Sequence, residues 1–112
     1  MKARCLSISA AAILALAAMQ ANAEEGLELA KKSGCLACHS VEKKIVGPAW
    51  QDVSNKYKGD AGARARLIEK VKKGGKGNWN EVTGGVPMPP YSPRVAEADI
   101  EKLVDFVLGL AK

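Results

Sequence analysis

The sequence has 112 residues, enough for one small domain and not two. Its formal net charge of +5 is spread along the chain, unlike the basic stripe of a nucleic-acid-binding protein. With one histidine and three cysteines, it can form at most one disulfide, and a closed zinc site would be short of a usual ligand.

The chain opens like a targeting segment. Lys2 and Arg4 give a positive start, and Leu6 to Met19 is apolar and alanine-rich. Ala21-Asn22-Ala23 then matches the small-x-small pattern of a secretory cleavage site. The apolar run is too short and too rich in small residues for a good membrane span. Cleavage after Ala23 and export are expected, with an uncleaved N-terminal anchor as the alternative. Cys5 precedes the apolar run, so it does not resemble a lipid-modified cysteine and leaves with the leader. The mature domain, residues 24–112, has 89 residues and keeps 15 Lys and Arg against 12 Asp and Glu, a net charge of +3. That mildly basic balance suits a soluble protein that meets partners through an acidic patch.

Glu24 to Ser33 is predicted to be helical. Glu24, Glu25 and Glu28 favour the positive end of the helix dipole, Lys31 and Lys32 the negative end, and Gly34 the C-cap. Leu27 and Ala30 are spaced for one buried face. Then comes Cys35-Leu36-Ala37-Cys38-His39, the pattern of a c-type haem attachment site. Two thiols at this spacing can each add to one vinyl group of the same haem, and the next residue falls beneath the porphyrin plane. A mature chain this short needs a staple. A disulfide closing so small a loop constrains little; a covalently held haem supplies a large apolar plate instead.

Ser40 to Gly47 reads as loop. Pro48 is expected to open a second short helix, with Ala49, Val53 and Tyr57 on one face and Gly59 ending it. Asp60 is expected to cap a third helix over Ala61 to Lys73. Leu67, Ile68 and Val71 form its stripe, and Gly74-Gly75 its end. Arg64, Arg66, Lys70, Lys72 and Lys73 crowd this helix, as a solvated face or as part of a docking surface. Gly74 to Ser92, with five glycines and three prolines, is expected to be a structureless loop wrapping the face of the haem away from His39. Ala96 to Leu110 has the clearest helical period: Ile100, Leu103, Val104, Val107 and Leu110, widened by Phe106 and Leu108. Ser92-Pro93 is an alternative start for it. With no convincing strand, the class is all-α: about four short helices around one haem.

Haem iron takes one or two axial ligands. His39, the only histidine, is the candidate for the first. Met1 and Met19 leave with the leader, so Met88 is the only methionine of the mature chain. It lies in Pro87-Met88-Pro89-Pro90, a stiff segment suited to holding a weak iron–sulfur bond. A lysine or a vacant position are the alternatives for the sixth site, with Met88 then a packing residue. His/Met ligation raises the reduction potential. With both positions filled, no site is open to substrate, which points to electron transfer rather than catalysis. A metal-bound histidine usually donates its other N–H to a carbonyl, and the Gly47-Pro48 loop is a candidate source. Trp79 is a candidate donor to a haem propionate or a packing residue; Trp50 and Tyr57 are candidates for haem-pocket packing.

Taken together, Gly34-Cys35 through His39, Val46-Gly47-Pro48-Ala49, Lys56-Tyr57, Lys72-Lys73-Gly74-Gly75, Pro87-Met88-Pro89-Pro90 and the closing helix resemble the class I c-type cytochromes. The likeness is to the small bacterial cytochrome c-551, or cytochrome c8, type, and covers Glu24 to Lys112. It implies a monomeric periplasmic electron carrier, not an enzyme, with one haem c on Cys35 and Cys38. His39 and Met88 would be the axial iron ligands, with the Pro48 carbonyl accepting from His39. Trp79 and Lys70 would face the propionates. It also implies a membrane cytochrome complex as donor and a terminal oxidase or reductase as acceptor. Asn80 to Gly85 makes a longer link than usual before the methionine motif. Tyr91 stands where many members carry Asn or Gln, and Ala96 where a serine cap is frequent.

Three other readings compete. Cys35 and Cys38 would suit a thiol–disulfide oxidoreductase, although the βαβ pattern is missing. A zinc module would lack a fourth ligand. A ligand-binding or peroxidatic cytochrome would release Met88.

Overall fold

The computed structural model describes residues 22–111, so residues 1–21 of the expected leader lie outside the described residues. Residues 22–32 are helical (α1) and pass into a 3-10 turn over Cys35–Ala37. Three further helices follow before the last: α2 Trp50–Lys56, α3 Ala63–Lys73 and the single turn α4 Asn80–Thr83. The last is α5, Glu97–Leu108. Among the described residues there is no strand, only isolated bridges pairing His39 with Lys44 and Gly75 with Met88. The all-α class holds.

The backbone explains where the boundaries shift. Pro48 does not open α2: Ala49 is the N-cap, and its φ of −58° and ψ of 137° are extended. The first amides of α2 are satisfied from a distance, Trp50 N–H donating to Ser40 O at 2.9 Å and Gln51 N–H to Val41 O at 2.9 Å. The Pro48 carbonyl is thereby left for another donor. Asp60 caps a turn rather than the helix itself. Its Oδ1 accepts from Gly62 N–H at 3.0 Å, and α3 begins only at Ala63. The expected structureless loop after α3 contains α4 and the Gly75–Met88 bridge. Ser92-Pro93 lies in the turn before α5, whose N-cap is Ala96.

Both α2 and α3 pack on α5. From α5, Ile100, Leu103 and Val104 are buried as their spacing predicts. One apolar cluster joins Ala30, Cys35, Trp50 and Leu103; the other joins Ile68, Tyr91, Ile100 and Val104. The buried Ser54 hydroxyl donates to Leu108 O at 2.9 Å, and Gln51 Nε2 to Leu110 O at 2.6 Å. The first satisfies a carbonyl that the end of α5 leaves without an intrahelical partner, and the second ties the chain just beyond α5 back to α2.

The inward face of α1 differs from the expected one. Leu27 is 39% exposed, whereas Gly26 and Ala30 are buried. Gly26 lies against Phe106 of α5, so close that a Cβ there would overlap the ring. Small residues at the crossing let the two helix backbones approach, which a leucine at this point would prevent.

Candidate functional site

The two clusters flank a largely apolar cleft of about 1220 Å³, including its open mouth. Its lining comes from three places. The segment after α1 supplies Cys35, Cys38, His39 and Val46 to Pro48; α5 supplies Leu103, Val104 and Val107; the stretch around α3 and the methionine loop supplies Leu67, Val71, Val86 to Pro89 and Tyr91. Trp50 and Val53 of α2 complete the apolar surface, and Lys70 and Trp79 also line it. Tyr57 does not. It lines a separate depression, shared with Trp79, Leu67 and Lys70, beyond the C-cap of α2.

The 3-10 turn sets the histidine. His39 N–H donates to Cys35 O at 3.0 Å, while Cys38 O accepts from Gly47 N–H at 2.7 Å and Val46 N–H at 3.2 Å. The loop thus folds back so that His39 Nδ1 donates to Pro48 O at 2.9 Å. With Nδ1 engaged, Nε2 is left with its lone pair for a metal. The ring stacks on Trp50, 5.4 Å between centroids and 20° between planes. Gly47 presses on the other atoms of the imidazole: a Cβ there would lie 2.5 Å from Cε1 and 3.0 Å from both ring nitrogens. Burial pushes the His39 pKa below its usual value, with the Pro48 carbonyl opposing, so the neutral, ligating form is favoured.

Cys35 is buried, Cys38 half-buried, and both are free thiols. Burial pushes the Cys35 thiol up, with the positive charge of Arg94 opposing. A catalytic redox cysteine needs the reverse, a thiol lowered toward thiolate. The oxidoreductase reading therefore loses its chemistry as well as its sheet. Among the described residues no group of three His, Cys, Asp or Glu side chains could hold a metal ion, which removes the support for a zinc module.

Met88 is half-buried and its backbone is held twice, Met88 N–H donating to Gly75 O at 3.1 Å and Gly75 N–H to Met88 O at 2.8 Å. Tyr91 N–H donates to Val71 O at 3.0 Å and Ser92 N–H to Lys72 O at 3.2 Å, which tie the end of the segment to α3. Trp79 is clasped by Lys56, whose Nζ lies 4.6 Å from the centre of its ring. Lys70 Nζ donates to Lys76 O at 2.7 Å.

The rest of the basic helix is internally matched. Arg64 forms a two-point pair with Asp105, 2.7 and 3.1 Å, and Arg66 pairs with Asp60. Lys72 pairs with Glu97 at 2.9 Å and Lys73 with Glu69 at 3.1 Å. Exposed pairs like these contribute little to stability, but they do reduce the field of this face. The solvated-face reading suits Arg64, Arg66, Lys72 and Lys73 better than a docking role. Gly47 and Lys56 fall within motifs the sequence offers, but their contacts with His39 and Trp79 come from the fold; Arg94, which rests on Tyr91 of its own turn, is singled out by nothing in the sequence.

The residues present fit a covalently held haem. Two unpaired thiols, an imidazole with Nε2 free and a thioether share one cleft whose remaining walls are apolar. The comparisons with known proteins agree. The family model described as Cytochrome c matches residues 23–111. Cytochrome c-551 of Allochromatium vinosum is 58% identical over 84 residues, 75% of this chain and 84% of that protein. Cytochrome c-552 of Nitrosomonas europaea is 41% identical over 104 residues, 93% of this chain and 92% of that one. The crystal structure of wild-type Nitrosomonas europaea cytochrome c552 superposes with a TM-score of 0.67 at 44% identity, covering 75% of this chain and 98% of that one. This chain belongs to the cytochrome c family, as a small class I c-type cytochrome that carries electrons on one covalently attached haem c and is not an enzyme.

Proposed function

We propose that the chain is exported, cleaved after Ala23 and folds in the periplasm as a monomeric single-electron shuttle. Cys35 and Cys38 form the thioethers, and His39 and Met88 are the axial ligands. The observation that carries this reading is the pairing of Met88 with Gly75 in the cleft that also holds His39 and both thiols. When bound, the haem supplies reversible one-electron exchange at its iron. The chain's residues do the rest. Pro48 O orients the imidazole, Gly75 anchors the sulfur-bearing segment, and Trp50, Leu103 and Val104 exclude water. Trp79 and Lys70 line the cleft where their N–H groups suit haem carboxylates. No proton needs to move.

Producing the full chain in a bacterium with haem-maturation machinery tests this. The periplasmic fraction is expected to yield a protein starting at Glu24, with a thioether-type pyridine haemochrome spectrum and no titratable thiol. A colourless, folded product with both thiols free would overturn it.

The partners fit a membrane cytochrome complex as donor and a terminal oxidase or reductase as acceptor. Val46 and Val86, both exposed, line the cleft, and Ile45 beside Val46 is 49% exposed. Lys43 and Lys44 adjoin them in sequence. Such an apolar surface with neighbouring cations suits brief contact with an acidic partner. Changing Lys43 and Lys44 to glutamate is expected to slow electron transfer and weaken its salt dependence. Changing Lys72 and Lys73, already matched by acids, is expected to have a smaller effect. Stopped-flow rates at two ionic strengths make the comparison.

A further inference from the structure

Arg94 differs from the other described arginines. Arg64 and Arg66 each face a carboxylate, whereas no carboxylate lies within ion-pair distance of Arg94 among the described residues. Its guanidinium instead lies over the Tyr91 ring, 4.9 Å from the centre. Arginine suits such a seat because its planar, weakly hydrated cation stacks on aromatic faces.

The seat is built by the backbone. Tyr91 is 6% exposed and lines the cleft. Its N–H is fixed to Val71 O at 3.0 Å, and its carbonyl accepts from Val95 N–H at 2.8 Å. That single turn from Tyr91 to Val95 brings Arg94 back over the ring it follows. Because Tyr91 lines the cleft, a cation resting on its ring stands beside the space that Cys35 also lines.

We propose that Arg94, seated on Tyr91 at the cleft that holds Cys35, is a fixed positive charge that raises the reduction potential of this cytochrome. The inference rests on the haem being held in this cleft. The oxidised centre carries one more positive charge than the reduced one. An uncompensated cation nearby therefore disfavours oxidation. Reduction adds one electron from a redox partner, and the charge of Arg94 acts on it through space. Tyr91 acts through Arg94 as a positioning residue, giving the cation a rigid face to rest on.

The test is an equilibrium redox titration of the haem-loaded protein at low and high salt. Arg94→Gln is expected to shift the reduction equilibrium about three- to tenfold toward the oxidised form at low salt, tenfold being about 59 mV for one electron. High salt is expected to shrink that shift, since the guanidinium is exposed and screened. Arg94→Lys is expected to retain part of the effect, and Tyr91→Leu, which removes the seat, to lose part of it. Arg64→Gln, whose partner is Asp105, is expected to change the equilibrium less than Arg94→Gln. An unmoved potential in Arg94→Gln, or a shift of equal size at both salt concentrations, would overturn the proposal. If the unmodified protein lacked a thioether-type spectrum, the underlying haem assignment would fall; an intact spectrum with an unmoved potential defeats the role of Arg94 alone.

Discussion

Replacing Met88 with alanine is expected to lower the reduction potential by roughly 0.1–0.3 V, a fraction of the ~0.8 V range that axial ligands span. It is also expected to open the reduced iron to carbon monoxide. A thioether is a weak donor that favours the electron-rich, reduced state, so its loss stabilises the oxidised one. The backbone should not follow the side chain. Alanine keeps the N–H and C=O that pair with Gly75, and the flanking prolines remain. Because Met88 is half-buried, the cost in stability should fall near the low end of the ~2–5 kcal/mol seen for Met→Ala in cores. The variant should therefore fold, with its sulfur–iron charge-transfer band gone. Voltammetry and carbon monoxide difference spectra read both effects. If the unmodified reduced protein binds carbon monoxide as readily as the variant, Met88 is not an axial ligand and the ligand-binding cytochrome becomes the better reading.

Gly74→Ala is expected to do comparable damage without touching a ligand. Gly74 ends α3 at φ 70° and ψ −156°, a conformation open essentially to glycine alone. A Cβ there would lie 2.5 Å from Met88 O, 2.7 Å from Pro90 N and 2.8 Å from Pro89 C. All three are backbone atoms of a proline-stiffened segment, so they cannot swing aside as a side-chain tip could. Conformational strain of ~1–3 kcal/mol and overpacking of ~1–3 kcal/mol both oppose the folded state. At about 4–8 °C per kcal/mol for a domain of this size, the melting temperature should fall by at least ~10 °C. Since the clash pushes on Met88 itself, the sulfur–iron band should weaken in parallel. A thermal melt and an absorption spectrum suffice. Gly75→Ala, whose Cβ would meet nothing within 4 Å, is the control, carrying the strain of φ 97° without the overlap. If the two variants behaved alike, contact with the methionine segment would play no part.

The comparison explains which features could be read from the sequence. Cys35, Cys38, His39 and Met88 stand out because their chemistry is tied to residue type and to rarity. The helix α5 stands out because one apolar face buried against one core leaves a 3.6-residue period. The boundaries that moved were decided by distant groups. Pro48 stays outside α2 because Ser40 and Val41 already satisfy the first amides of that helix. Leu27 faces outward because Phe106, from the far end of the chain, requires a glycine at the crossing. The clasp of Lys56 on Trp79 depends on the tertiary fold bringing a cation over a ring, and the seat of Arg94 on Tyr91 on a turn that the sequence does not announce. The acids that match Arg64, Arg66, Lys72 and Lys73 could not be assigned from composition, which shows only a surplus of basic residues.

The meeting of Gly26 with Phe106 has a consequence for biogenesis. About 80 residues separate the two, so their contact must close nearly all of the described residues into a loop, an entropic toll that short-range contacts do not meet. The apolar contacts that reward that closure, Ala30 and Leu103 with Leu29, Phe106 and Leu110 packed on them, share their cluster with Cys35. A cofactor tethered at Cys35 should therefore strengthen the same cluster that closes the loop, so that the chain without its tether stays the more pliable of the two.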